Sequence, residues 1–164
     1  MLPLGVSAVT VGFGFLVALD EPPLDLRSSP MLVPAAQAVI AVPFVVRSVL
    51  PALDGVPHRL REAAATLGAP PRRVWWEVDA RLLRRPALVA LGFAYAISLG
   101  EFGATVFIAR ADAPTVPVAI FRALSQPGAL NVGQAMALST ILLALTAAVM
   151  LVVDRAGDTR VGGF

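Results

Sequence analysis

The sequence predicts an all-α membrane protein of about four transmembrane helices, with one large basic loop between the second and third. Three observations carry that prediction. Of 164 residues, 57% are hydrophobic and 15% charged, against roughly 25% charged in an average soluble domain, and the mean hydropathy is +0.79. Four windows approach the roughly 20 mostly apolar residues that a helix needs to cross about 30 Å of hydrocarbon. The basic residues are 13 arginines with no lysine, and they gather beside those windows. The windows read as helices because an unpaired strand leaves its backbone unsatisfied in lipid, and four segments are too few to close a barrel.

The first window, Leu2 to Leu19, is 18 residues long and uncharged. No basic stretch precedes it and no small-residue cleavage site closes it, so it reads as a span and not as a secretory signal. The second, Pro30 to Leu53, is uncharged until Arg47, which lies near enough to one end to snorkel to the interface. Pro34, Pro43 and Gln37 mark that helix as irregular. The third, Ala87 to Ala109, contains one charge, Glu101, and the fourth, Ala129 to Val153, contains none. Small residues recur along the third span at Gly92, Ala96, Gly100 and Ala104, and along the fourth at Gly133, Ala137, Ala144 and Ala148. Such stripes let helix backbones approach closely, which predicts packing faces there, within this chain or in a dimer, ahead of a substrate-lining role.

Orientation follows from the arginines. The loop from Asp54 to Pro86 holds seven, Arg59, Arg61, Arg72, Arg73, Arg81, Arg84 and Arg85, whereas the link from Asp20 to Ser29 holds only Arg27. Counting Arg47, Arg155 and Arg160 with the large loop, ten arginines fall on its side and three, Arg27, Arg110 and Arg122, on the other. The large loop and both termini are therefore expected inside. The sequence pI is near 10.4, but the net charge is only +2. Arginines beside apolar spans report topology, so nucleic acid is not an expected partner and membrane lipid is.

Within the loop, Leu60, Ala63, Ala64 and Leu67 stand at i, i+3, i+4 and i+7, the spacing of a short amphipathic helix. Pro57 suits its first turn and Gly68 suits a left-handed termination. Pro70 and Pro71 favour a fresh start for a second helix carrying Val74, Trp75, Val78 and Leu82. The pair is expected as a helix-turn-helix lying on the membrane surface, with Trp75 and Trp76 at the interface and Pro86 opening the third span. Beyond the third span, Val116 to Leu124 reads as a short outer helix between Pro114 and Pro127.

Several chemistries drop out. There is no cysteine, and His58 is the single histidine, so neither a thiolate site nor a metal site is expected. The absence of lysine removes a Schiff-base nucleophile and the phosphate-binding lysine of a P-loop. A membrane enzyme finds little support, because no Ser and His share neighbouring spans.

The loop residues carry a resemblance. Glu62, Ala63 and Ala64, three residues, Gly68, and nine residues before the aliphatic Val78 resemble the EAA loop of the permease subunits of type I ABC importers. The flanking VPHRLREAAATLGAPPRRV and the later AISLGEFGATVFIARADAPTVPVAIFR look like the branch associated with ferric iron and thiamine, and the resemblance covers nearly the whole chain. It implies a type I ABC permease fold in a bacterial inner membrane, with a cytoplasmic coupling helix seated in a cleft of a separate ATPase subunit. ATP and Mg would sit on that subunit, and this chain would bind no cofactor of its own. The further implied partners are a second permease half or a second copy, and a periplasmic or lipoprotein substrate-binding protein near Val116 to Leu124. Carried over by position, Glu62, Ala63, Ala64 and Gly68 are the coupling residues.

Glu101, an ionisable residue within a span, is expected either to set packing or to line the translocation path, with Gln37, Ser98 and Gln134 as hydrogen-bond partners. Two features depart from the family pattern. Its Leu-Pro pair is replaced by Ala80 and Arg81, with Pro86 five residues later. Permease domains of this class also have five or six spans, so the chain is expected to be the C-terminal portion of a permease, a fragment or a gene whose true start lies upstream. That leaves an inactive truncated permease or a membrane scaffold as the alternative to transport.

Overall fold

A computed structural model describes residues 6–20, 26–27 and 29–157, and among them the regular structure is entirely helical. In chain order the helices are α1 (Ala8–Ala18), α2 (Leu32–Asp54), α3 (His58–Thr66), α4 (Pro71–Val74), α5 (Ala80–Gly100), α6 (Thr105–Ile108), α7 (Val116–Leu124) and α8 (Ala129–Gly157). A π-turn, Trp75–Asp79, joins α4 to α5 without a break.

Among the described residues, three stretches are long and apolar enough to cross a membrane: Leu32–Asp54, Pro71–Gly100 and Ala129–Arg155. The sequence predicted four. The helix in the first window, α1, has 11 residues and rises only about 16 Å at helical geometry. Ser7 is extended at its N-cap and Leu19 leaves helical geometry at its C-cap. Residues 2–5 of that window, 21–25 and 28 of the following link, and the C-terminal Arg160 lie outside the described residues.

The third span differs most from expectation. It begins at Pro71 and ends at Gly100, where Ala87 and Ala109 were predicted. Pro71 occupies the first helical position, where a missing N–H costs nothing. From there the arginines favour helix, and Pro86 is carried inside α5 and does not open it. The second loop helix and the span are thus one rod of 30 residues, about 45 Å long, and not a hairpin lying flat. Trp75 and Trp76 sit exposed on its π-turn. The same reading at the other end missed a break, since the backbone at Glu101 is extended.

This long helix is central. α5 packs against α2 and α8, α7 lies on α8, and α1 and α6 flank α2. Its buried positions include Asp79, Leu83, Ala90 and Ala96, so a polar residue heads the stripe that packs. Gly92 lies so close to Val153 of α8 that a Cβ there would collide with the valine side chain. On the fourth span the small-residue stripe is not covered by the other helices of this chain. Ala137, Ala144 and Ala148 are exposed and Gly133 faces open space, whereas Ala135 and Val153 are buried. Ala135 is two residues beyond Gly133, about 200° around the helix. A small core of Leu32, Ala36, Ala104 and Ile108, lined by Phe15, Leu16 and Leu19, joins α1, α2 and α6. Many of the other large apolar side chains, such as Phe13, Met31, Leu91 and Leu143, point outward, as lipid permits.

Candidate coupling site

The helix α3 forms as the 3.6-residue spacing requires, but with Pro57 at the N-cap and not inside the first turn. It ends as glycine allows. Gly68 takes φ +82°, its N–H donates to the Ala65 carbonyl at 2.9 Å, and the Ala69 N–H donates to the Ala64 carbonyl at 3.1 Å. These two bonds make a Schellman cap, which satisfies carbonyls that the helix end would otherwise leave open. Thr66 Oγ1 donates to the Ala63 carbonyl at 2.8 Å.

No residue of α3 is buried. Leu60 and Ala63 are exposed, Ala64 is half-buried, and Leu67 just beyond the helix is 88% exposed. The apolar face expected from spacing therefore exists but is left largely uncovered by this chain. Glu62 is also outward, meeting His58 Nδ1 at 3.0 Å one turn back, with 62% of its side chain exposed. Of the four residues assigned to coupling, Glu62, Ala63 and Ala64 share this helix and Gly68 ends it.

What periodicity missed is the polar link from α3 to the long helix. Arg61 Nε and Nη2 both reach Asp79 Oδ1, each at 2.7 Å. The Arg61 side chain is 33% exposed and that of Asp79 only 7%. The two stand 18 positions apart, too far for helical spacing to pair them.

At the opposite end of the long helix, Glu101 is 7% exposed and serves its own chain. Oε1 accepts the Ala104 N–H at 2.8 Å and Oε2 accepts the Thr105 N–H at 3.1 Å. Thr105 Oγ1 returns a hydrogen bond to the Glu101 carbonyl at 2.9 Å. Glu101 is thereby the cap of α6. The Ser98 carbonyl accepts the Glu101 backbone N–H at 3.3 Å and Gln37 Nε2 at 3.0 Å, and neither residue's hydrogen bonds reach the Glu101 carboxylate. Gln134 is exposed on α8, and no hydrogen bond among the described residues joins it to Glu101. Gln37 and Ser98 do share a groove of about 570 Å³ with Tyr95 and Thr115, between α2, α5 and the start of α7.

The loop leading to α7 is tied down as well. Arg122 Nη1 donates to the Ala111 carbonyl at 3.1 Å, and the Phe102 and Phe121 rings lie 5.3 Å apart. The Arg110 guanidinium, reaching Asp112 at 3.0 and 2.6 Å, holds that carboxyl below the usual aspartate range, helped by Asp112's own backbone N–H. No group of three potential metal ligands occurs among the described residues.

Comparison with known proteins fits this geometry. The profile of the family described as "Binding-protein-dependent transport system inner membrane component" matches residues 2–161. A protein named for 2-aminoethylphosphonate transport, the permease PhnV of Salmonella paratyphi A, is 33% identical over 94% of this chain and 57% of its own length. The molybdenum transport permease ModB of Haemophilus influenzae is 32% identical over 88% of this chain and 69% of its own. The thiamine transport permease ThiP of Brucella abortus is 29% identical over 99% of this chain and 30% of its own. The chain thus spans just over half the length of the phosphonate relative. It belongs to the family of binding-protein-dependent transport system inner membrane components, the permeases of ABC importers, and is a multi-pass membrane protein.

Proposed function

We propose that this permease chain forms part of the substrate path of an ATP-driven importer and that α3 is the element that seats in a separate ATPase subunit. The observation that carries the reading is α3 itself. It is a short helix with no buried residue, it presents Glu62 and two small alanines, and Gly68 ends it in a fixed turn. Alanines let the wall of a groove come close, and an exposed carboxylate offers a charge-assisted hydrogen bond to a basic partner. The basic loop and both termini then lie in the cytoplasm, and ATP with its Mg belongs to the partner. Hydrolysis favours one membrane conformation only through contacts that differ between the two states, and α3 is where such contacts are made.

The remaining partners in this proposal are a second permease half or a second copy of the chain, and a substrate-binding protein on the side of α7. The cargo is a small polar solute. Thiamine, expected alongside ferric iron, stands in the name of one relative, and phosphonate and molybdenum stand in the names of others. The neutral hydrogen-bonding groups of Gln37, Tyr95, Ser98 and Thr115 in one groove support a polar cargo.

Co-purification in detergent tests the docking claim. The wild-type chain is expected to retain its ATPase subunit and Glu62→Arg to lose most of it. Retention by neither protein, or equal retention by both, would overturn the assignment. Competition of labelled uptake by thiamine, molybdate, 2-aminoethylphosphonate and ferric ion would then rank the cargo.

A further inference from the structure

α3 is held on the surface with nothing buried, yet whatever it receives from a partner must reach the membrane. Its shortest polar route is the contact of Arg61 with Asp79. Asp79 Oδ1 accepts a hydrogen bond from Arg61 Nε at 2.7 Å and lies 2.7 Å from Nη2 of the same guanidinium, and Asp79 is 5% exposed. The position of Asp79 matters as much as its partner. It closes the π-turn Trp75–Asp79 and stands one turn before Leu83, on the face that the buried Leu83 and Ala90 of α5 continue. A force applied at Asp79 therefore acts on the face of the long helix that packs inside the protein. The π-turn is the stretch of that helix whose hydrogen bonding departs from the α pattern, a feature frequent at functional sites.

We infer that the Arg61–Asp79 pair is the strut that carries displacement of α3 into the long helix, making Asp79 a positioning residue for transport and not a docking residue. The inference rests on the reading of α3 as the ATPase-docking element. Three features set this pair apart from the other ion pairs around it. His58–Glu62 and Arg73–Glu77 each lie within one helical stretch, one turn apart, and are mostly exposed. Neither joins α3 to another element. A pair with one partner buried is also weakly screened by solvent, so it holds its geometry where a surface pair would swing. The guanidinium fork presents two donors in a rigid plane, which transmits direction as well as charge. At the far end of the rod, Gln37 grips the Ser98 carbonyl, so displacement entering at Asp79 leaves at the groove beside α2.

The test uses the complete transporter, with ATPase subunits and binding protein, reconstituted in liposomes. Retained ATPase subunit, ATP hydrolysis and cargo uptake are measured on the same preparation. Asp79→Asn is expected to retain the subunit and hydrolyse ATP as the wild type does, while cargo moved per ATP falls about tenfold, the usual size of a coupling energy. Arg61→Lys keeps the charge and loses the fork, and is expected to fall between the two. An unchanged ratio of uptake to hydrolysis in Asp79→Asn overturns the strut and leaves docking intact. Should Asp79→Asn fail to fold, Arg61→Lys decides: a reduced ratio supports the strut and an unchanged one overturns it. A wild-type chain that retains no ATPase subunit overturns docking, and the strut with it.

Discussion

The two ends of the long helix Pro71–Gly100 are built in opposite ways. At its Pro71 end, α3 projects with no buried residue and is tied across by one ion pair, Arg61 with Asp79. At its Gly100 end, Glu101, Ala104 and Thr105 are all buried, and the glutamate spends both oxygens on backbone N–H groups of the turn that follows. Both ends use a carboxylate, but for different work. Asp79 reaches a side chain on another element, so its bond transmits position between elements. Glu101 closes a local loop, so its bonds fix one conformation of the chain that contains it.

Substitutions at the two ends should separate accordingly, and the largest effect is expected at Glu101. Replacing it with Ala orphans two buried N–H groups, at a cost of roughly 2–6 kcal/mol. Thermal unfolding in detergent should show it as reduced folded yield and a lower midpoint. Glu101→Gln with full folded yield and abolished transport would instead place the side chain in the cargo path and break the contrast.

Next in size is Gly12→Ala. A Cβ at Gly12 would collide with the backbone of Ala104, which cannot step aside as a flexible side chain can. Overpacking of this sort costs about 1–3 kcal/mol, and the midpoint should fall while α3 stays unaffected. A neutral substitution would mean that the close approach of α1 to the Glu101 turn does not hold that end rigid.

Gly68→Ala should be milder and confined to the other end. Nothing lies within 4 Å of an added Cβ, so only the positive φ of +82° resists it, at about 1 kcal/mol. Hydrogen exchange of the α3 amides should quicken while the global midpoint stays put; a drop in that midpoint would show α3 to be part of the core after all.

The smallest effect is expected from acidifying the Arg110–Asp112 pair. Because the folded carboxyl titrates below its ordinary range, the pair's contribution is fully present above about pH 4, the unfolded aspartate value. It is lost only as pH falls below that. Comparing midpoints of wild type and Asp112→Asn across pH should give a constant difference near neutrality that shrinks in acid. A difference that varied near neutrality would mean that another group governs that loop.

Much of the Pro71 end was legible in the sequence. The 3.6-residue spacing of Leu60, Ala63, Ala64 and Leu67 located α3, and Gly68 located its end, because both depend on residues within a few positions of each other. The Glu101 end was not legible. Apolar counting runs straight through Ala87 to Ala109, and nothing in composition says that a carboxylate will turn back to cap the following turn. Pro86 misled for a related reason, since a proline marks a helix start only when the preceding residues have no helix of their own to continue. The fourth-span stripe of Gly133, Ala137, Ala144 and Ala148 is left uncovered by this chain, because periodicity shows that a face exists and not which neighbour takes it. Arg61 and Asp79, 18 positions apart, meet only once the Gly68 turn has brought α3 against the long helix.

That α3 contributes no buried side chain has a consequence for how such proteins diverge. Most positions in a packed interior are constrained by many neighbours at once, so a change there must be accepted by all of them. The outward residues of α3 answer to few neighbours in their own chain. They are free to drift with whatever surface they meet, and a lineage can rewrite a single turn or two of helix there while the packed membrane portion is inherited unaltered.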